Sequence, residues 1–461
     1  MTRLVLICQI VLVCFALFSA AQPALAQSNS KVQLTPNEMR VFAADAVIKG
    51  QPKLGYQIAS ALLQRNPNDT EALIIRARAA RDLGLLPEAV ATARRAWGLA
   101  RTSSERFGAS MVMAQSLSTS GAKTRAQNWL RRAAQNAPSE EFKNVAIRDF
   151  RYVRRTNPWA TEFSFSVSPN SNINNGSKHS STRLFDLPLE FELTGAARAL
   201  AGLEYTSGLA TRYRLFESQR SQHDLVLRLD HKTYTMTDDA KRLSPTSKGS
   251  DFAFSSASLS YIKRGFSGSG NELPHQFELT AGRTWYGNAP FMQYLRFGFT
   301  QNMIVAPGRL MFAGLTHEHQ RSMSNRQDVD IWGGSAGLRL KMANQDNLSM
   351  SLHLKKSSSL DPSLDYLQLS LRTRYALAKP IAGVSIDFGV SFSQKNHDLS
   401  RYSRFGRTDK TLSIDATGVI SRIEYFGFSP SVTVSASKTD SSINLFDSES
   451  LGLRVGIQSS F

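Results

Sequence analysis

The sequence predicts two architectures in series: a short helical solenoid, then a transmembrane antiparallel β-barrel of about fourteen strands. Three observations carry this reading. An apolar amino-terminal run ends in small residues. A stretch rich in Ala, Leu and Arg between Pro36 and Pro158 is punctuated by glycines at repeating intervals. From there to Phe461 the texture turns to Ser, Thr, Gly, Phe and Tyr, with apolar and polar residues alternating.

Met1–Arg3 is a basic start, Leu4–Phe18 is apolar almost throughout, and Ala24-Leu-Ala26 fits a small-x-small cleavage site. Residues 1–26 therefore read as a secretory signal peptide, too short to span a membrane, with the mature chain starting near Gln27. Both cysteines, Cys8 and Cys14, fall inside it. Val11-Leu-Val13 lacks the small residue that a lipoprotein cleavage site places before its cysteine. A mature chain without cysteine has no disulfide, thiolate metal site or thiol nucleophile. No later stretch approaches the ~20 apolar residues of a helical span. A hydrophobic fraction of 41% suits a barrel whose strands spend alternate residues on water.

Residues 27–155 form the expected helical domain. Gly84 is followed by Ala89 and Ala96, and Gly121 by Ala126, Ala133 and Pro138; Gly50 is followed by Pro67 without the alanines. Gly50 and Gly84 stand 34 residues apart, the tetratricopeptide length, and Gly84 and Gly121 stand 37 apart. In such a unit Gly ends the first helix in a left-handed turn, the alanines let paired helices approach, and Pro closes the repeat. The segment from Glu140 to Arg155 is expected to cap the stack. Charge is concentrated here: 21 Lys and Arg against 10 Asp and Glu, a net of +11, compared with +6 over residues 156–461. Such a surplus is either a basic face for an acidic partner or the anionic membrane surface, or a solvated surface of snorkelling arginines.

Residues 156–461 are the expected barrel domain. Strands are marked at Ala160–Ser168, Ala199–Glu217, Asp224–Thr235, Phe252–Lys263, Gln276–Tyr286, Met292–Val305 and Arg309–Gln320. They continue at Val329–Met342, Asn347–Lys356, Asp365–Leu377, Gly383–Gln394, Thr408–Ile420, Tyr425–Ser437 and Ser450–Phe461. Leu367, Leu369, Leu371 and Leu377 oppose Gln368, Ser370, Arg372 and Arg374, and Trp332, Ala336, Leu338 and Leu340 oppose Ser335, Arg339 and Lys341. In the last segment Leu451, Leu453, Val455 and Ile457 alternate with Gly452, Arg454, Gly456 and Gln458. Repeated a dozen times or so, the alternation reads as lipid outside and water inside. Short turns such as Ala306-Pro-Gly308 alternate with longer loops such as Thr237–Ser250, the asymmetry of periplasmic turns and external loops. A terminal aromatic such as Phe461 is what outer-membrane barrels show to their assembly machinery.

No catalytic, cofactor or metal constellation emerges. His317 and His319 share one strand face while Glu318 takes the other, with no third ligand at suitable spacing. Asp238-Asp239 and the pair Asp328/Asp330 lie where loops meet strands, and Gly265-Phe-Ser-Gly-Ser-Gly270 is a turn and not a phosphate loop. The basic surplus does not argue for nucleic acid in a secreted barrel.

Two segments go further. Asn157-Pro-Trp-Ala-Thr-Glu-Phe-Ser-Phe-Ser-Val-Ser-Pro-Asn-Ser-Asn-Ile-Asn-Asn175 joins the helical domain to the first strand. Gly427-Phe-Ser-Pro430 and Ser442-Ile-Asn-Leu-Phe-Asp447 precede the closing one. With the long strand after Leu200 and Gly406-Arg-Thr-Asp409, they fall in an order that resembles the surface lipoprotein assembly modifier (Slam) family over nearly the whole mature chain. The chain departs from that pattern at Asp447-Ser-Glu-Ser450, where the family usually has an arginine, and in its brief helical module. The resemblance implies an outer-membrane translocon that moves a partner, a surface lipoprotein or a small secreted protein, from periplasm to cell surface. The helical repeats would face the periplasm and engage the partner. An exopolysaccharide-export porin, with longer repeat arrays, and a passive porin are the alternatives.

The candidate mouth residues are Asn170, Asn172, Asn174 and Asn175, which either build a turn or, with Arg183–Thr194, line or plug the periplasmic mouth. Arg339, Arg372, Arg374 and Arg454 are expected inside the barrel, as ladders that hold its shape or as guides for acidic segments of a passing chain.

Overall fold

The structure, a computed structural model, describes residues 33–267 and 273–459. The expected signal peptide and the terminal Phe461 lie outside the described residues. Seven helices precede the first strand among these residues: α1 (Pro36–Ile48), α2 (Pro52–Arg65), α3 (Thr70–Asp82), α4 (Leu86–Leu99), α5 (Ser103–Thr119), α6 (Lys123–Gln135) and α7 (Glu140–Thr156).

Local chemistry sets the repeat. Thr35 and Thr102 close capping boxes with Glu38 and Glu105, and Asp69 accepts from the Ala72 N–H at 3.0 Å. Bonds from the Thr35 and Thr102 main-chain N–H groups hold both glutamates below the ordinary carboxylate range. Gly50, Gly84 and Gly121, each just past the first helix of a pair, adopt φ of +77°, +80° and +83°. Ala89, Ala96, Ala126 and Ala133 are fully buried, as close helix packing requires. α1 packs on α3 and α3 on α5, forming one layer; in the other, Trp97 of α4 meets Trp129 of α6 edge to face at 5.3 Å. α7 caps the stack with buried Ala146, Phe150 and Val153. The helical domain is a solenoid of antiparallel helix pairs that resembles the tetratricopeptide type.

Helix passes to strand through Asn157 and Pro158 alone. Asn157 is 3% exposed, and its side chain donates to Thr124 Oγ1 at 3.0 Å while accepting from the Trp159 N–H at 3.1 Å. The extended conformation that Pro158 favours at Asn157 ends α7.

The strands are β1 (Trp159–Asn170), β2 (Ser181–Arg183), β3 (Glu190–Glu192), β4 (Gly202–Glu217), β5 (Ser221–Met236), β6 (Phe254–Ser267), β7 (Leu273–Tyr286) and β8 (Ala289–Ala306). They continue as β9 (Arg309–Ser322), β10 (Val329–Lys341), β11 (Asn347–Ser358), β12 (Tyr366–Ala376), β13 (Val384–His397), β14 (Arg407–Ile420), β15 (Phe428–Ser441) and β16 (Ser448–Ser459). β1 and β4–β16 form a closed antiparallel barrel of fourteen strands, while β2 and β3 pair apart as a small hairpin. All fourteen expected strands are present. The hairpin and a short helix, α8 (Asp238–Leu243), fall in segments without a periodic signal.

Outward residues such as Leu369, Leu371, Phe388, Val390, Phe392, Leu412, Ile414, Val434 and Val455 are 44–52% exposed around the wall. A continuous apolar band of this kind is what lipid covers. On the helical side the strands connect through 218–220, 307–308, 342–346, 377–383 and 421–427. The longest connections, 171–201 and 237–253, lie at the far end.

Candidate functional site

The helical domain is docked on the barrel mouth from which both β1 and β16 can be reached. Arg131 of α6 donates to the carbonyl oxygens of Phe426 and Gly427 at 3.0 and 2.9 Å, and to Ser459 Oγ at 2.9 Å. Its guanidinium lies over the rings of Phe150 and Phe428, 4.6 and 4.4 Å from their centroids. Burial between them pushes the Arg131 guanidinium down to about 10, still charged at neutral pH. Gln135 Oε1 accepts from the Phe426 N–H at 2.9 Å, and Lys143 pairs with Glu424 at 3.2 Å. On the other side Arg214 Nη1 of β4 donates to the Arg155 carbonyl at 3.3 Å, and Arg154 meets Glu162 of β1 at 3.5 Å.

Alternation sets the lumen lining, and the lining divides into two walls. Along β15 every inward position is a hydroxyl: Ser429, Ser431, Thr433, Ser435, Ser437, Thr439 and Ser441. They bond across to β14 as Thr411–Thr439 at 2.9 Å, Ser413–Ser437 at 2.9 Å and Thr417–Thr433 at 3.0 Å. Ser164, Ser166 and Ser168 continue this hydroxyl lining on β1. Elsewhere the lining is charged. Fully buried Asp224 takes Arg264 at 2.7 Å, Arg214 at 3.5 Å and Arg212 at 3.8 Å, and Lys232 meets Glu204 at 3.4 Å.

The predicted lumen arginines divide by role. Arg374 bridges Asp415 at 2.7 Å and also pairs with Asp387, tying β12, β13 and β14 as a ladder. Arg339 lies over the Phe312 ring, 5.3 Å from its centroid. Arg372 and Arg454 occupy the inward register of β12 and β16. The sequence did not single out the Asp224 cluster, whose signal was the inward spacing of Arg212 and Arg214.

The sequence left Asn170–Asn175 as either a turn or a lining of the periplasmic mouth; they lie at the barrel end opposite the helical domain. β1 leaves α7 at Trp159 and must cross the wall before reaching Asn170. Asn172 closes its turn by accepting from Gly176 N and donating to Gly176 O, both at 2.9 Å. Asn174 donates to the Ala196 and Arg198 carbonyls at 2.8 and 2.9 Å and accepts from the Leu200 N–H at 2.9 Å. Asn170 donates to Glu204 at 3.1 Å, and Asn175 takes a left-handed φ of 54°. These asparagines build the loop.

That loop spans the far mouth from one wall to the other. Ile173 and Leu200 pack with Met236 and Ala240 near α8. At its other end Phe185 donates its N–H to the Tyr402 carbonyl at 2.7 Å, and Asp186 accepts from Ser403 and the Arg404 N–H, both at 2.8 Å. The Arg404 N–H and the Ser403 hydroxyl hold Asp186 below the usual carboxylate range. His317 and His319 share the outer face of β9, where both approach Asp330, at 3.4 and 3.0 Å, while inward Glu318 pairs with Arg296.

No family model matches this sequence, nor does any curated protein. Similar solved structures include a mutant O-GlcNAc transferase of Thermobaculum terrenum, at 21% identity over 24% of this chain and 22% of that one, TM-score 0.21. The chain thus spans about a fifth of that protein's length. The outer membrane channel DcaP of Acinetobacter baumannii matches at 10% identity over 65% of this chain and 97% of that one, TM-score 0.35. An anion-selective porin from Comamonas acidovorans matches at 11% identity over 66% and 100%, TM-score 0.32. The fold described above rests on its own geometry and not on these matches.

Proposed function

We propose that this chain is an outer-membrane translocon that moves a partner polypeptide, a surface lipoprotein or small secreted protein, from periplasm to cell surface. The observation that carries the reading is the Arg131 dock. A repeat domain of the kind that grips peptides is fixed to the barrel mouth, and whatever it holds is presented there. With the short turns and the solenoid in the periplasm, the long loops face outward, in the orientation outer-membrane barrels adopt.

The lining supports passage of a chain. Hydroxyls bonded to one another and arginines already paired with carboxylates offer a polypeptide many weak contacts and no deep site. The wall also fits a porin, but a porin needs no docked solenoid. Protease accessibility of the partner on whole cells separates the two. Deleting this gene should leave the partner protected inside, whereas a porin's deletion would change small-solute uptake and leave display intact. The partner candidate to test first is a small secreted protein or lipoprotein encoded beside this gene.

A further inference from the structure

The outer face of β7, β8 and β9 changes character toward the far mouth. Leu279, Leu295 and Leu315 stand 48–54% exposed in the apolar band. Further along the same faces come Arg283, Gln293 and Arg321. The ladder sets Arg283 opposite Gln293 and Gln293 opposite Arg321, so the three share one row. Two strand spacings separate the arginines by roughly 10 Å, with the amide between them. A third arginine, Arg326, lies in the connection from β9 to β10, its guanidinium over the Phe291 ring at 4.4 Å from the centroid. Arg283 lies in the same way over Trp285, at 5.3 Å.

These cations are not matched as others on the wall are. Lys356 of β11 meets Asp365 at 2.7 Å, and Lys438 of β15 meets Asp440 at 3.3 Å. Among the described residues no carboxylate pairs with Arg283, Arg321 or Arg326, and Arg283 Nε is buried without an acceptor. The carboxylates beside them in the ladder and the loop are engaged. Asp328 accepts from the Ser322 N–H at 2.8 Å, and Asp330 faces His317 and His319. A buried guanidinium N–H without an acceptor carries a free-energy cost that an incoming anion removes. Trp285 and Phe291 are the kind of aromatic residue that girdles a barrel where hydrocarbon gives way to headgroups.

We propose that Arg283 and Arg321, with Gln293 between them and Arg326 at the rim, hold the phosphate of a glycolipid headgroup in the outer leaflet. Each planar guanidinium meets phosphate oxygens in pairs, and two on one row close on a single group from both sides. The acyl chains of that lipid lie along Leu279, Leu295 and Leu315. The occupant is a phosphorylated glycolipid because the far mouth faces outward in the orientation given above, where the leaflet is built of such lipids. The inference rests on that orientation and not on what the barrel carries.

Native mass spectrometry of the full-length protein in detergent tests it. The probes are deep-rough lipopolysaccharide, the same lipid stripped of its phosphates, and phosphatidylglycerol. The phosphorylated glycolipid should bind at least tenfold more tightly than either of the others. Arg283→Gln/Arg321→Gln should lose that preference. Lys356→Gln/Lys410→Gln removes as much charge from the outer face of β11 and β14 and should keep it within twofold. Heat-modifiable gel mobility certifies that each variant barrel is closed. Equal binding of the phosphorylated and stripped lipids by the wild type overturns the inference without any variant. So does phosphatidylglycerol binding as tightly as the glycolipid, an arginine variant that keeps the preference, or an equal loss in both double variants. Surface display of a partner is a separate readout. Failure of the lipid site leaves the translocon reading standing, and loss of display leaves the lipid site standing.

Discussion

Arg131 of α6 and Phe426 of the β14–β15 turn are 295 residues apart in sequence, yet the arginine donates to that residue's carbonyl oxygen at 3.0 Å. The same guanidinium reaches Gly427 and Ser459, so the docking surface is the two ends of the closing hairpin. It exists only once β15 and β16 are in place.

Arg131→Ala should free the helical domain without unfolding either part. Hydrogen bonds to a charged group are each worth roughly 1.5–3 kcal/mol. Protease cleavage near Asn157–Pro158 should accelerate at least tenfold, while the barrel keeps its heat-modifiable gel mobility. Arg131→Lys should recover only part of the protection, since an ammonium cannot reproduce the planar fork between two rings.

The solenoid should fold alone. A fragment over residues 27–156 is expected to be soluble and helical by circular dichroism. Within it, Gly84→Ala meets no atom within 4 Å, so its cost is backbone strain at φ +80°, about 1–2 kcal/mol. Ala93→Leu, at a fully buried site, should cost about 1–3 kcal/mol by overpacking. A mainly β or unfolded spectrum from the parent fragment would remove the repeat assignment.

The two faces of β12 should respond oppositely to charge. Leu371→Arg places a cation against lipid and should cost about 2–4 kcal/mol near mid-wall, lowering barrel yield. Ser370→Arg, one residue away and facing the lumen, should assemble normally. Urea titration of the refolded barrel compares them.

The far-mouth loop should loosen in acid. Asp186 has its folded pKa depressed, so its contribution to stability is present above the unfolded carboxylate value and is lost as pH falls through the lower folded one. The window lies below about pH 4. Hydrogen exchange at the Phe185 and Arg404 amides should rise there, and Asp186→Asn should bring the same exchange to neutral pH.

The sequence was most legible where periodicity is enforced by solvent on both sides. Leu367, Leu369 and Leu371 must face lipid, so β12 could be placed from the sequence alone. Gly84 and Gly121 marked real helix ends because few other residues hold φ near +80°. The β2–β3 hairpin escaped because three-residue strands carry no period. The turn-forming chemistry of the asparagine loop is legible in the sequence but the barrel end it reaches is not, since local sequence does not record how often a chain has crossed a wall. Arg131 looked like one more basic surface residue, because its partners are main-chain carbonyls encoded far away.

The central claim is that the docked helical domain delivers a partner into this barrel. Its most direct test is protease accessibility of that partner on whole cells carrying wild-type protein, a gene deletion, or Arg131→Ala combined with Lys143→Glu. Porin-like conductance in planar bilayers should be equal for the wild type and the double variant, certifying an intact barrel. Display should be strong in wild type, absent in the deletion, and at least tenfold reduced in the undocked variant. Equal display in all three strains would contradict the account and leave the barrel a porin.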